Sequence, residues 1–312
     1  MSNEQVGETK EDKYLFHEDN VIDMTSDKGS FKHFVRSILK SPNAIFGFIV
    51  LAMLIICAVF SSFLAPNDPY TVDLTLYLRP PAWMEGGSWQ FPLGTDSLGR
   101  CVLSRIIYGS RVSLLVGAAS VMISGMLGVV LGLVSGYYGK WVDDLIMRVA
   151  DIFLAFPFVL LAIAVLTVLG SGISKVIIIL VVSGWVTYAR LVRGEVILAR
   201  EREYVEAAKS IGLPARTIIF KHILPNCINS VIVVASFSFS STIISEASLS
   251  FLGLGVSPDT PTWGGMISLA REYIFNGTWL AVFPGIAIAV SVLGINILGD
   301  WIRDYLDPKT KE

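Results

Sequence analysis

Four polar side chains stand inside a long apolar run near the end of the chain, where they could bind a polar solute. Ser238, Ser241 and Ser245 recur at helical spacing, and a carboxylate, Glu246, follows one residue later. Hydroxyls and a carboxylate at membrane depth are typical of a wall that faces water. We therefore expect these residues to line a polar pathway. The alternative is helix packing, with the serines bonded to their own backbone carbonyls and the carboxylate paired with Arg271.

Side chains suited to catalysis or metal binding are scattered along the sequence. His17, His33 and His222 lie far apart, and the three cysteines show no C-x-x-C or Cys/His spacing. The sequence contains no G-x-x-x-x-G-K-[ST] phosphate loop, G-x-S-x-G elbow or H-E-x-x-H pair. We therefore expect no catalytic residue, no metal site and no cofactor bound by this chain. The formal net charge of -2 argues for no particular partner, and we expect no nucleic-acid partner.

The elements that position the polar residues follow from composition. Of the 312 residues, 53% are hydrophobic and 16% are charged, which is far more apolar than a soluble domain. A spanning helix needs about 20 apolar residues. The segments that qualify are 44–64, 112–137, 152–169, 176–192, 227–245 and 279–298. The predicted fold class is an all-α polytopic membrane protein with six transmembrane helices embedded in the lipid bilayer.

The distribution of Lys and Arg predicts the orientation of these helices. With the N-terminus in the cytoplasm, most basic residues of the connections fall on the cytoplasmic side, which is the usual bias. Both termini are then cytoplasmic. Residues 1–30 are predicted to be a disordered tail, and 31–43 an amphipathic juxtamembrane helix or a plain extension of the first span. The membrane domain covers 44–312, with an external loop at 65–111 and a cytoplasmic loop at 194–226.

The cytoplasmic loop contains a polar island at 203–226. Tyr204, Ala207, Ala208 and Ile211 recur at i, i+3, i+4 and i+7, which predicts a short amphipathic helix. Gly212 is expected to end this helix in a left-handed conformation. A second helix is expected over 215–224 and is predicted to stop at Pro225, which cannot continue a helix.

This island resembles the EAA loop of permease subunits of ATP-binding cassette importers. The resemblance rests on Glu206-Ala207-Ala208, on Gly212 after three intervening residues, and on the Leu224-Pro225 close. His222 replaces the isoleucine of the general pattern, as in the peptide and nickel branch of the family. The resemblance implies that the loop docks in a groove of a cytoplasmic ATPase. The coupling residues that it implies are Tyr204, Glu206, Ala207, Ala208, Gly212, Leu224 and Pro225.

Two further stretches resemble the C-type subunit of oligopeptide, dipeptide and nickel importers. The external stretch 93–100 is LGTDSLGR, followed by Cys101 where the family pattern has aspartate, and 250–255 is SFLGLG. The local alternative for the first stretch is a helix start capped by Asp96 or Ser97. The second span also carries Gly128, Gly132 and Gly136 one turn apart, which predicts close helix packing within the subunit or with a partner permease.

The resemblance implies a permease with the type I importer fold in the plasma membrane of a bacterium. It implies a heterodimer with a homologous B-type permease, two cytoplasmic ATPase subunits that hold ATP and Mg, and an extracytoplasmic substrate-binding protein. The chain itself is then not an enzyme. Oligopeptides or dipeptides are the favoured substrates, and a nickel or metal chelate is the alternative within the family. A self-contained channel or secondary transporter is the alternative outside it.

Overall fold

A computed structural model describes residues 37–39, 41–257 and 259–306. Within these ranges the regular structure is helical, apart from one isolated bridge between Thr95 and Cys101. The predicted tail at 1–30 and most of the predicted juxtamembrane helix at 31–43 lie outside the described residues. The chain divides into the units Met1–Pro42 and Asn43–Glu312. The second unit contains the membrane domain.

Nine helices of eight or more residues form this unit within the described ranges. They are α1 (Pro42–Val59), α2 (Val102–Tyr138), α3 (Lys140–Ala155), α4 (Phe158–Leu169), α5 (Ile173–Arg200), α6 (Glu203–Ser210), α7 (Leu224–Phe251), α8 (Trp263–Ala270) and α9 (Trp279–Leu306). Shorter helical turns are Ser61–Leu64, Leu74–Leu76, Ala215–Thr217, Ile218–Ile223 and Arg271–Tyr273.

The predicted glycine face packs α2 directly against α5. A Cβ on Gly132 would lie 2.7 Å from the carbonyl oxygen of Ala189, and one on Gly136 would lie 2.7 Å from Cβ of Val196. A Cβ on Gly128 would collide with Trp185. The glycines therefore make an interface within the subunit. Later glycines of α2 contact later residues of α5, so the two helices run parallel.

Parallel neighbours require the chain between them to return across the membrane, and α3 with α4 supplies this return. The prediction of one helix at 152–169 is wrong in this detail, because the two helices meet at a 90° bend. Pro157 explains the bend, since proline cannot continue a helix and disfavours helical backbone in the preceding residue. Phe156 is extended there, with φ -96° and ψ 130°. Five single helices plus this bent pair give the six predicted spans.

The external segment before α2 is folded onto the helix start. Asp96 accepts hydrogen bonds from the backbone N–H groups of Leu98 and Arg100, both at 2.9 Å, and its Oδ2 lies 2.7 Å from Nε of Arg100. Asp96 therefore closes a turn. The alternative of a helix cap at Asp96 or Ser97 is wrong, because α2 begins at Val102 after Cys101 and has no side-chain cap. Arg105, which is buried, donates to the carbonyl of Pro69 at 3.0 Å.

Candidate functional site

The end of α6 is a tight turn stabilised by two backbone hydrogen bonds. Leu213 N–H donates to the carbonyl of Ala208 at 3.1 Å, and Gly212 N–H donates to that of Lys209 at 2.9 Å. This pair of bonds defines a Schellman motif, whose turn residue must be left-handed. Gly212 has a φ of +77°, as predicted from its residue type. Pro214 follows and precedes the next helical turn, Ala215–Thr217.

We call α6 with its turn, residues 203–213, the knob. Its inner face consists of Val205 and Ala208, which are buried against Ile218 and Ile223. Its outer face exposes Tyr204, Glu206, Ala207 and Ile211, with Ile211 76% exposed. The predicted apolar stripe is therefore divided: Ala208 belongs to the inner face, and the rest of the stripe remains available to a partner. The unpredicted Val205 anchors the knob.

The second helix of the loop continues into the membrane, so the prediction that Pro225 stops it is wrong. After Ala215–Thr217 the backbone widens into a π-helical turn, Ile218–Ile223, and then becomes α7. Leu224 N–H donates five residues back to Ile219, as expected for this turn. The wider turn accommodates Pro225, whose ring would clash with the preceding turn of a regular α-helix. Leu224 and Pro225 thus connect the loop to the fifth span.

A cavity of about 490 Å³ lies between α2, α5 and α7. All three predicted serines of α7 line it, and the sequence reasoning missed the side chains that face them from α2 and α5. The hydroxyl residues on its walls are Ser120, Ser124, Ser183, Thr187, Tyr188, Ser238, Ser241, Thr242 and Ser245. Ser241 donates to the carbonyl of Phe237 at 3.1 Å and Thr242 to that of Ser238 at 2.7 Å. Such hydroxyls bond back to their helix and still face the cavity with acceptor lone pairs.

Glu246 does not line this cavity. Successive residues on a helix are rotated by about 100° about its axis, so Glu246 lies on a different face from Ser245. Glu246 is buried, with 1% of its surface exposed. Its Oε1 accepts a hydrogen bond from Ser250 Oγ at 2.7 Å. Arg271, the partner of the alternative reading, instead lies over the ring of Phe251, 4.9 Å from its centroid. The structure therefore places the three serines on the wall of this cavity and Glu246 outside it.

A second cavity, of about 560 Å³, lies nearer the knob between α5, α7 and α9. Asn226, Asn229 and Ser230 of α7 line it, and Ser230 Oγ donates to Glu195 of α5 at 2.9 Å. Val234 lines both cavities. The polar face of α7 therefore extends from residue 226 to residue 245, with apolar side chains between its two polar ends. The sequence showed this signal, since asparagine and serine recur there at helical spacing.

An ion pair that the sequence reasoning missed joins α3 to α5. Nε and Nη2 of Arg193 lie 2.5 Å and 2.6 Å from the two carboxylate oxygens of Asp143. Ser135 Oγ, on α2, donates to the same carboxylate at 2.5 Å. The bidentate geometry is the stronger form of this interaction. Three spans are thus tied together at their cytoplasmic ends, beside the knob.

Known protein families match most of this chain. Residues 128–312 match the family described as binding-protein-dependent transport system inner membrane component. Residues 30–81 match the N-terminal TM domain of oligopeptide transport permease C. Together the matches include α1, the knob, α5, α7 and α9, and of α2 they include residues 128–138.

Curated relatives match over nearly their whole length. The Di/tripeptide transport system permease protein DppC of Pseudomonas aeruginosa is 44% identical over 90% of this chain and 92% of its own. The Glutathione transport system permease protein GsiD of Pectobacterium atrosepticum is 40% identical over 93% and 95%.

The fold has a solved counterpart in the inward-facing MetNI methionine ABC transporter. A chain of that transporter aligns with a TM-score of 0.54 at 18% identity, over 65% of this chain and 96% of its own. This similarity confirms the type I importer permease fold. The predicted bacterial plasma-membrane location and the transport class are confirmed by the family. Family, relatives and fold agree that this chain belongs to the inner membrane components of binding-protein-dependent transport systems, as a C-type permease subunit of an ATP-binding cassette importer.

Proposed function

We propose that this chain, paired with a homologous B-type permease, passes short peptides from an extracytoplasmic binding protein into the cytoplasm. ATP and Mg are held by two separate ATPase subunits, and this chain performs no hydrolysis. The names of its relatives support the substrate class, since they refer to dipeptides, di- and tripeptides and glutathione. A self-contained secondary transporter is excluded by the family, whose members work with a binding protein.

The observation that carries the proposal is the chemistry of the cavity between α2, α5 and α7. Its volume of about 490 Å³ falls in the range of pockets that hold small molecules. Among the described residues that line it, hydroxyls are frequent and none is charged. Hydroxyls donate and accept hydrogen bonds, as peptide amides do. A neutral wall of this kind suits passage of many peptides without holding any of them tightly.

The second cavity supports a continuous route along α7. It lies on the cytoplasmic side of the first, and Val234 separates their polar walls. Asn226 and Asn229 offer amide groups that can replace water around a peptide bond. We infer that a peptide passes Ser245, Ser241 and Ser238 and then reaches the asparagines. The apolar residues near Val234 would restrict the passage of water and ions between transport events.

The knob is the proposed contact with an ATPase. Its outer face is apolar where Tyr204 and Ile211 are exposed, and Ala207 between them is small enough for close backbone approach. Glu206 offers a charge to a donor on the partner. The Schellman turn and the buried inner face make the knob rigid. A movement of the knob on the ATPase is therefore transmitted to the backbone at residue 215. From there helical backbone leads through the π-turn to the serines of α7.

Retained ligand on the binding protein tests the substrate class. The binding protein encoded with this permease would be purified without added ligand, denatured, and its released molecules identified by mass spectrometry. We expect peptides of two to a few residues. A metal chelate, with no peptide retained and none bound in titration calorimetry, would assign the chain to the nickel branch and overturn the peptide proposal.

A further inference from the structure

A third cavity, of about 260 Å³, lies near the external ends of α1, α2, α8 and α9. Ile106 and Ser110 come from the first turns of α2, Trp263 begins α8, and Leu93 of the external segment lies beside them. The cavity is separate from both cavities that face the polar side of α7. No step of the proposed transport route uses it.

The shape of this cavity follows from how α1 crosses α9. The two helices touch closely where a Cβ on Gly47 would lie 2.8 Å from the carbonyl of Gly294 and 2.9 Å from Leu298. They run antiparallel from this crossing, and the cavity lies on its external side. There Met53 and Cys57 of α1 and Phe283 of α9 stand around an open wedge. The close approach at the crossing is therefore followed by a gap on its external side.

The polar groups on the walls of the wedge are already bonded within the protein. Ser110 Oγ donates to Ile107 at 2.6 Å, and Ser291 Oγ donates to Ala287 at 2.6 Å. Trp263 Nε1 donates to the carbonyl of Ile106 at 2.9 Å. Among the described residues that line the wedge, none is charged. The wedge thus offers far fewer polar partners than the cavity between α2, α5 and α7, and a buried water needs several of them.

The mouth of the wedge opens onto an exposed apolar surface of α1 and α9. Met53 and Ile286 form its rim, and both are about half exposed, whereas Leu54, Trp263 and Ser291 are buried inside. The rim continues into exposed apolar side chains along α1 and α9. They include Ile49, Ile56, Val282 and Leu293. Because these helices span the membrane, the material that meets the mouth is hydrocarbon.

We propose that the wedge binds one acyl chain of a phospholipid from the outer leaflet. An unfilled apolar cavity leaves its wall atoms without dispersion contacts, and a flexible hydrocarbon chain restores them at no cost in lost hydrogen bonds. The acyl chain enters between Met53 and Ile286 and reaches Trp263. It joins α1 to α2, α8 and α9 on the external side, where the crossing at Gly47 no longer holds the helices together.

Photochemical labelling of the assembled importer tests this proposal. The complex is placed in nanodiscs of phosphatidylethanolamine and phosphatidylglycerol, with added phosphatidylcholine that carries a diazirine midway along one acyl chain. After illumination, labelled residues are identified by peptide mass spectrometry. We expect label on the buried wall residues Leu54, Trp263 and Ser291, as well as on lipid-facing Ile49. Label on Ile49 together with unlabelled wall residues would overturn the proposal.

Two matched substitutions on α9 separate lipid insertion from general lipid contact. Ala287 lines the wedge, whereas Ala289 is exposed and lies outside it. Ala287→Phe should abolish labelling of the wall and leave labelling of Ile49 unchanged, and Ala289→Phe should change neither. Equal wall labelling in both variants would contradict the site. If a helix of the partner permease fills the wedge instead, the wall stays unlabelled in the wild type and Cys57 resists a lipid-soluble maleimide.

Discussion

Ala207 and Ala208 are neighbours on the same short helix and have opposite environments. Ala208 is 5% exposed and packs into the buried cluster that contains Val205 and Ile218, whereas Ala207 is exposed on the outer face of the knob. The sequence pattern assigned contact with a partner to both residues, whereas the structure leaves only Ala207 exposed. Ala208 fixes the knob to its own subunit, and Ala207 is left for a partner.

The first prediction is that enlarging the inner alanine destabilises the subunit. Ala208→Leu inserts three carbons into a filled cluster, and such overpacking costs about 1–3 kcal/mol. The apparent melting temperature of the purified importer should fall, as measured by thermal unfolding in detergent. Ala207→Leu, the matched control, adds the same atoms on the outside and should leave it unchanged. Equal melting temperatures for the two variants would show that α6 does not pack as described.

The second prediction concerns the turn at Gly212. Nothing lies within 4 Å of a Cβ placed there, so the cost of Gly212→Ala comes from the positive φ alone, about 1 kcal/mol. Gly212→Val should cost more, because its side chain is branched at Cβ. The knob should then be misoriented, and ATP hydrolysis should lose its stimulation by loaded binding protein.

Gly194 supplies the control for that substitution. It also has open space around its Cβ, but it lies within α5. Alanine favours a helix more than glycine does, so Gly194→Ala should preserve the stimulation. Full stimulation in Gly212→Ala and Gly212→Val would contradict a role for the turn in positioning the knob.

The third prediction concerns the ion pair between Asp143 and Arg193. Asp143→Asn removes the charge from a bidentate contact and should destabilise the subunit by about 1–2 kcal/mol. Asp144→Asn is the control, because Asp144 is exposed next to it. Thermal unfolding in detergent should separate the two variants, with only the first melting earlier. The same melting point in both would mean that the contact contributes no stability.

The fourth prediction concerns which faces of α7 meet water. In a background without the three native cysteines, Ser238→Cys, Ser241→Cys and Ser245→Cys should react with a membrane-impermeant thiol reagent, at rates that change during ATP turnover. Glu246→Cys and Ile243→Cys should stay protected, because both positions are buried. Equal reactivity at all five positions would place the pathway on another helix.

Local signals in the sequence predicted much of this architecture. Composition and length gave the six spans, and Gly212 predicted its own left-handed turn because only a few residue types accept that backbone. The predictions that were wrong concerned residues whose environment is decided by neighbouring segments of the fold. Ala208 is next to the exposed Ala207, and Glu246 is next to the cavity-lining Ser245; a single step on a helix decides which face a residue occupies.

Contacts between distant segments were beyond the reach of local patterns. Asp143 pairs with Arg193, which is 50 residues away in the sequence, and no local spacing along α3 indicates this partner. In the same way, the sequence predicts a helix end at Pro225, and it gives no sign of the π-turn that lets the helix continue there. The hydroxyls of α2 and α5 that complete the cavity could not be assigned to it from local patterns. Their orientation depends on the register in which the glycine face packs these two helices.

The central claim is that the outer face of the knob couples this permease to ATP hydrolysis, and Ala207→Arg tests it most directly. The measurement is ATP-dependent uptake of a labelled dipeptide by proteoliposomes that contain the complete importer and its binding protein. We predict that uptake is lost in Ala207→Arg and retained in Gln90→Arg, which adds the same charge to the exposed external segment. Melting temperatures should match the wild type in both. Wild-type uptake by Ala207→Arg would contradict the account.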